Sequence, residues 1–409
     1  MRSYFLALLL FIALLNSCDN GNYINHISTN FPGEASEPNL HLSNSGQIYL
    51  SYISSNPNTK ESSLLFSEFD YFNNSWKTPN LIVKSDKMFV NWADFPEITT
   101  DNLNGITAHY LEMSSEKKYS YDIKIVNSKD SGFNWSIPKK LHSDNTKTEH
   151  GFVSTINTKQ GFLSTYLDGR QNELSKNNKS IRPQMTLRGT SYNIDGDILE
   201  DNLIDDRVCD CCQTDLAITE DGESIVVYRG RSENEVRDIY YSFKKENNWT
   251  KPVNIYNDNW EIPGCPVNGP AISTYKNNSA VVWYTFSNNK NQIKVVFTDN
   301  ISKGFEKPIL IKANDPIGRV DIELLNKNSA IISYIDIIDE KAYIKLQMVT
   351  NNGNQTKLLL IDESSESRSS GFPAITLNKE KNNTIIAWTE SKEKFKIKTA
   401  VINNSFFHK

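Results

Sequence analysis

Three of the five cysteines fall within four residues, in Asp206-Arg207-Val208-Cys209-Asp210-Cys211-Cys212-Gln213-Thr214. A fourth, Cys265, lies in Ile262-Pro263-Gly264-Cys265-Pro266-Val267-Asn268-Gly269-Pro270. Thiolates are soft ligands that select Cu(I) or Zn(II), and neutral imidazole suits either metal. On extended chain Cys209 and Cys211 would point to one side and Cys212 to the other. A metal centre of Cys209, Cys211 and Cys265, completed by Cys212 or by His150, is one reading. Oxidation is a second, with Cys209 or Cys211 bridged to Cys265 and a further bridge through Cys212. A reactive catalytic thiol is the third.

Arginine is the other concentration. Arg229, Arg319 and Arg368 belong to three different segments, with Arg170, Arg231 and Arg237 beside them in sequence. Converging guanidinium groups hold a carboxylate in fork geometry, so a small anionic ligand or an acidic glycan is the partner they suit. The bland alternative is an ion pair to a neighbouring Asp such as Asp321 or Asp238. Trp92 and Asp94, in Asn91-Trp92-Ala93-Asp94-Phe95-Pro96, and Asp168 complete the candidate set. Trp92 would be a ligand-binding residue.

Residues so far apart in sequence need a fold that gathers them, and a repeat supplies one. A strongly apolar strand ending in an aromatic recurs as Ile48-Tyr49-Leu50-Ser51-Tyr52, Ile106-Thr107-Ala108-His109-Tyr110 and Phe162-Leu163-Ser164-Thr165-Tyr166. Further copies are Ile225-Val226-Val227-Tyr228, Ala280-Val281-Val282-Trp283-Tyr284, Ala330-Ile331-Ile332-Ser333-Tyr334 and Ile385-Ile386-Ala387-Trp388. The spacing, roughly 50 to 60 residues, is that of propeller blades. The expected fold is all-β: a seven-bladed β-propeller, with six blades as the alternative, and four antiparallel strands per blade. In such a ring the first strand of each blade lines the axis, and the segments leading into those strands share one face. Both cysteine segments and His150 would then open on a common funnel. The polar stretch between Asp168-Gly169-Arg170 and Asp206 reads as an inserted loop.

A second landmark is Ser128-Lys129-Asp130-Ser131-Gly132-Phe133-Asn134-Trp135, with degenerate copies in which an aromatic precedes proline by three residues, as in Trp76 with Pro79 and Trp249 with Pro252. The octapeptide fits the Ser-x-Asp-x-Gly-x-x-Trp Asp box in full, and residues 36–409 resemble the sialidase-like, Asp-box (BNR-repeat) propellers. The resemblance implies a structural turn between the third and fourth strands of a blade. It further implies hydrolysis of an acidic sugar by an exo-sialidase-like glycoside hydrolase, with Arg229, Arg319 and Arg368 clamping the carboxylate and Asp94 or Asp168 as general acid. The family's Arg-Ile-Pro signature is absent, and no Tyr/Glu nucleophile pair is assignable from the sequence.

The N-terminus is an export signal: Arg2, then an apolar run from Phe5 to Leu15 too short to span a bilayer well. Leu15-Asn16-Ser17-Cys18 resembles the bacterial lipobox, which implies a signal peptide over 1–17 and diacylglycerol on Cys18. Residues 18–35 then form a tether and the domain occupies 36–409, held at a membrane in the cell envelope on the periplasmic face or the outer-membrane surface. A net charge of −5 offers no broad basic field for nucleic acid. A closed ring with short protected edges is expected to be a monomer. Three functional readings stay open: Cu or Zn in a thiol-rich funnel, the glycoside hydrolase, and a disulfide-stapled binding scaffold.

Overall fold

A computed structural model describes residues 23–245 and 248–408. Seven antiparallel sheets are arranged as a seven-bladed β-propeller. The innermost strands are Glu34–Leu42, Ile98–Thr100, His150–Thr158, Asp215–Ile218, Ala271–Tyr275, Asp315–Asn326 and Ala374–Asn378. All seven apolar repeats are second strands, at Ile48–Ser55, Ile106–Met113, Gly161–Asp168, Ser224–Arg229, Asn278–Ser287, Ser329–Ile338 and Asn383–Glu390. Blades one and four break their outermost strand in two.

The ring is closed by its ends. Ile24–Ile27 pairs with Lys396–Asn403 as the outer strand of the last blade, Ile24 opposite Ile402 and Ile27 opposite Thr399. Ile24–Ile27 thus belongs to the propeller, upstream of the boundary expected at residue 36. Only Ile27 of that strand is buried, so its pattern carries no strong periodic signal. Cys18 and the export signal lie outside the described residues. The stretch after Asp168 is also corrected. It holds one short helix, Arg170–Asn177, and then the two outer strands of blade three, Thr186–Tyr192 and Ile198–Asp205. The outermost strand is largely exposed, and the strand inside it buries Thr186, Gly189 and Thr190 in place of large apolar residues, so neither reads as an apolar run.

Second strands are the core because both their faces are covered. Trp388 packs with Ile344 and Leu346 of the preceding blade. Trp283 packs with Val227 and Tyr241, and Tyr334 with Val282 and Val295. Each such ring, fully buried, contributes about 1.5–3 kcal/mol and cements two blades together. Residues 128–135 form a hydrogen-bonded turn: Asp130 Oδ1 accepts from Asn134 N at 2.8 Å and Ser128 Oγ from Gly132 N at 2.9 Å. Gly132 takes φ +88°, and the Trp135 ring meets Phe66 edge-on.

Around the axis, carboxylates tie blade to blade. Glu97 Oε2 accepts from Thr155 N at 3.1 Å, Asp215 Oδ2 from Ile272 N at 2.7 Å and Asp321 Oδ2 from Ile375 N at 2.7 Å. In each case the acid belongs to one innermost strand, or the residue before it, and the amide to the innermost strand of the next blade. These acids answer the unpaired inner edges of neighbouring sheets.

Candidate functional site

The cysteine segment leaves blade three and enters blade four along the face where the leading segments gather. Val208 bridges to Gly230, and Cys209 N donates to Arg229 O at 2.9 Å. The chain then turns at Asp210–Cys211. A turn brings its first and fourth residues together. Accordingly Cys209 Sγ and Cys212 Sγ lie 3.3 Å apart, at 1% and 2% exposure, while Cys211 points outward. This reverses the side-of-chain expectation, which assumed an extended segment. Cys211 is bonded to Cys265, with Cα atoms 6.0 Å apart, stapling the segments that lead into blades four and five. That bridge is the oxidised alternative, and it removes Cys211 and Cys265 from the proposed metal set as thiolates.

Arginines surround the remaining pair. Arg237 Nη1 donates to Cys209 Sγ at 3.0 Å and its Nη2 to Glu235 Oε2 at 2.8 Å. Arg231 spans Asp210 and Glu235, each at 2.9 Å. Burial raises the Cys209 thiol, but the Cys212 hydrogen bond and the Arg237 and Arg229 charges outweigh it, so the net direction is down. Burial pushes Cys212 well up. Of the two sulfurs, Cys209 is the one whose surroundings favour the thiolate. Arg231 is therefore an ion-pair member above the cysteine turn rather than a ligand clamp.

His150 does not join the sulfurs. It is fully buried, with Nδ1 3.2 Å from Tyr121 O, Nε2 3.1 Å from Asp144 Oδ2 and its ring stacked 3.7 Å from His142. Arg170 closes this network, with Nε 2.7 Å from Asp168 Oδ2 and Nη2 3.2 Å from Asp144. Asp122, His142 and His150 offer donor atoms within 4.8 Å of one another, as do Asp144, His150 and Asp168. Lys140, 3.2 Å from Asp122, and Arg170 already balance those carboxylates. Burial raises Asp144, but hydrogen bonds from His142 and His150 overcome it and hold the carboxyl below its usual range. Asp168, at 0% exposure, is held by Arg170 and offers no exposed carboxyl to a substrate. Arg170 is correspondingly a structural cation.

The arginine clamp is not assembled either. Arg229 donates to three backbone carbonyls, of Asn268 at 2.9 Å, Arg237 at 2.6 Å and Tyr284 at 2.7 Å. Arg319 donates to the carbonyls of Glu366 at 3.1 Å, Ser367 at 3.0 Å and Gly371 at 3.3 Å. Both are buried, and burial lowers Arg319 to about 10. They fasten loops, where an ion pair or a ligand had been expected. Arg368 is exposed and lies 5.9 Å over the ring of Trp92, with Arg319 at 5.3 Å. Trp92 stacks on Phe372 from the last blade, so it closes the mouth as much as it offers a face.

Behind that lid the axis is nearly full. Gln213 donates to Ala93 O at 2.7 Å and accepts from Gly269 N at 2.9 Å, reaching between three blades. The cavity beneath is about 80 Å³, lined by Glu97, Gln213, Asp215 and Asp321 among others. Ligand pockets run to about 300 Å³ or more, so this space suits a few waters and no sugar. No cysteine and no arginine lines it. Burial pushes Asp215 to about 7 and Glu323 to about 7, and Glu97 and Asp321 well above the usual carboxylate range. Alternating strand residues gave no hint that these acids would meet.

The other candidate acid, Asp94, lies in a buried acidic cluster with Glu149. Asp94 packs on Gly151 so closely that a Cβ there would lie 2.1 Å from its Oδ2. Burial pushes Asp94 to about 8 and the neighbouring Glu149 to about 6. Tyr121 Oη donates to Glu149 Oε1 at 2.8 Å. A Tyr/Glu pair therefore exists, yet Tyr121 is 0% exposed and burial drives its hydroxyl well above its usual pKa. That makes it a fixed donor, the opposite of a poised nucleophile.

No family model matches the chain, and no curated relative is found. Among solved structures, a lectin from Burkholderia pseudomallei superposes with TM-score 0.62 at 12% identity, over 92% of this chain and 97% of that one. An α-L-arabinofuranosidase of Fusarium graminearum complexed with arabinobiose gives 0.51 at 11%, over 95% and 99%. An α-L-arabinanase of Penicillium chrysogenum gives 0.50 at 11%, over 91% and 94%. A microbial sialidase reaches only 0.46 and carries no argument. At these identities the likeness is one of fold: the chain is a β-propeller of the architecture that those proteins share.

Proposed function

We propose that the protein is a cell-envelope lipoprotein, anchored through Cys18, that holds a soft metal ion, Cu(I), between Cys209 and Cys212. The observation that carries this reading is the buried sulfur pair 3.3 Å apart with the Arg237 guanidinium against one member. Two thiolates satisfy a low-coordinate soft ion, and the guanidinium offsets the surplus negative charge. Tetrahedral Zn(II) wants four donors, and neither the bridged Cys211 nor the distant network of His150 supplies them. The Cys211–Cys265 bridge supports an oxidising compartment, in keeping with export. Anaerobic titration of the mature protein with Cu(I) against a competing chelator should saturate at about one ion per chain. Cys209→Ser and Cys212→Ser should each abolish it, and binding that survives both substitutions would refute the assignment.

A second reading is kept for one observation: the exposed Arg368 over the ring of Trp92. An aromatic face with a cation beside it suits an acidic glycan, and the superposable propellers include a lectin and two enzymes complexed with or named for arabinose sugars. Sialyl and uronyl oligosaccharides should then bind, with loss in Trp92→Ala and Arg368→Ala. Hydrolysis would require Glu149 or Asp94, and unchanged sugar after prolonged incubation would leave binding alone.

A further inference from the structure

The two cysteine pairs differ in placement as well as in oxidation. Cys209 and Cys212 have the C-x-x-C spacing, are free and are buried, whereas the bridged partner Cys265 is exposed and Cys211 half-buried. The Sγ atoms of Cys209, Cys211 and Cys212 all lie within 4.8 Å of one another. A dithiol thus sits directly behind a surface disulfide, within side-chain reach of it. Thiol–disulfide exchange needs an attacking sulfur, a disulfide in reach and a resolving thiol, and all three are present.

We propose that these four cysteines form a two-pair electron relay, in which the buried Cys209/Cys212 dithiol reduces the surface Cys211–Cys265 disulfide and the surface dithiol so formed reduces an external disulfide. In the first step Cys209 Sγ, as thiolate, attacks Cys211 Sγ. The Cys209–Cys211 bond forms, the Cys211–Cys265 bond breaks, and Cys265 leaves as thiolate and takes a proton from solvent. Cys212 then loses its proton and attacks Cys209 Sγ. The Cys209–Cys212 bond forms, the mixed disulfide breaks, and Cys211 leaves and is protonated. Two electrons have passed from the buried pair to the surface pair; of the two protons the surface pair takes up, one comes from Cys212 and the other from solvent, and no outside oxidant or reductant is needed. Cys265 next attacks the external disulfide R–S–S–R, releasing one RSH, and Cys211 resolves the mixed disulfide, releasing the second and restoring the surface bridge.

Local geometry favours both ends of this path. Cys209 and Cys212 need to close only about 1.3 Å from their 3.3 Å separation to reach a disulfide bond length. The Arg237 guanidinium faces Cys209 Sγ, the sulfur assigned the first attack. The segment carrying Cys265 is exposed from Pro263 to Cys265 and a side chain at Gly264 would meet only Ile262, so that loop has room to move. The relay uses the thiols assigned to the metal site but requires no metal, so the two assignments can fail separately.

Metal-free protein is mixed with an aromatic disulfide probe, and release of the aromatic thiol is followed. Wild type should release two equivalents per chain and end with both pairs bridged, and the probe should be found first on Cys265. In Cys211→Ser/Cys265→Ser the buried thiols lose their outlet, so release should slow at least tenfold although both thiols remain. Cys212→Ser should trap a Cys209–Cys211 bridge with a free Cys265, identified by acid quench, alkylation and peptide mapping, which reports even if the double variant folds poorly. Oxidised glutathione and an unfolded disulfide-containing protein are the two substrates offered, and consumption of either supports the relay. Equal rates in wild type and the double variant, probe found first on Cys209, only the Cys211–Cys265 bridge in C212S, or no free thiols in the protein as purified would each overturn it. Cu(I) binding that persists beside such an outcome would leave the metal site standing.

Discussion

Arg237 and Cys209 meet inside the protein, with Nη1 3.0 Å from Sγ, and this contact sets the chemistry of the cysteine turn. It places a permanent cation, 2% exposed, against the one sulfur whose balance of forces favours the thiolate. Arg237→Gln keeps a donor and removes the charge. The Cys209 thiol should then titrate higher by about one unit or more, since one unit corresponds to about 1.4 kcal/mol and a charged hydrogen bond is worth at least that. Thiolate absorbance in the metal-free protein, assigned by its loss in C209S, measures this directly. An unchanged titration would show that the Cys212 hydrogen bond alone suffices.

The axial carboxyls make stability depend on pH in an unusual sense. Asp215 and Glu323 are pushed up to about 7 by burial, above their values in an unfolded chain. A group with a raised folded pKa contributes stability that is fully present below the unfolded pKa and is lost as pH rises through the folded one. The protein should therefore become more resistant to urea as pH falls from about 8 to about 5. Carboxyls held low, such as Asp144 and Asp201, act oppositely and only at more acid pH. Glu323→Gln, which keeps an acceptor for Ser273 Oγ, should reduce the gain in unfolding free energy over this pH range by on the order of 3 kcal/mol. A slope identical to wild type would show that Glu323 titrates normally.

Gly151 is dictated by its neighbour. A Cβ at this position would lie 2.1 Å from Asp94 Oδ2 and 3.1 Å from Tyr121 Cε2. Gly151→Ala should cost about 1–3 kcal/mol through the clash. Asp94→Ala in the same chain should recover most of that loss, giving a double-mutant coupling that independent sites lack. Additive losses would mean that the backbone strand, rather than the carboxylate, resists the methyl group.

The blade count was legible because second strands are buried on both faces and therefore read as apolar runs ending in Tyr or Trp, from Tyr52 to Trp388. The closing strand Ile24–Ile27 was not, because one buried residue in four leaves no pattern. That the cysteines gather was legible from ring geometry. Which sulfurs pair was not, because it turns on a single turn at Asp210–Cys211 that reverses the alternation of an extended strand. Arg229 and Arg319 misled for a related reason: sequence shows charge, but not that carbonyls of distant loops, such as Tyr284 and Glu366, would take up the guanidinium donors. Glu97, Asp215 and Asp321 carried no motif at all, since their common feature is the axis itself.

The central claim is that Cys209 and Cys212 alone hold the metal. X-ray absorption at the copper edge of the Cu(I)-loaded protein tests it most directly. Two sulfur neighbours and no nitrogen, with the Cys211–Cys265 bridge still intact by peptide mapping, is the predicted result. A histidine nitrogen in the first shell, or a third and fourth sulfur gained by opening the bridge, would contradict it.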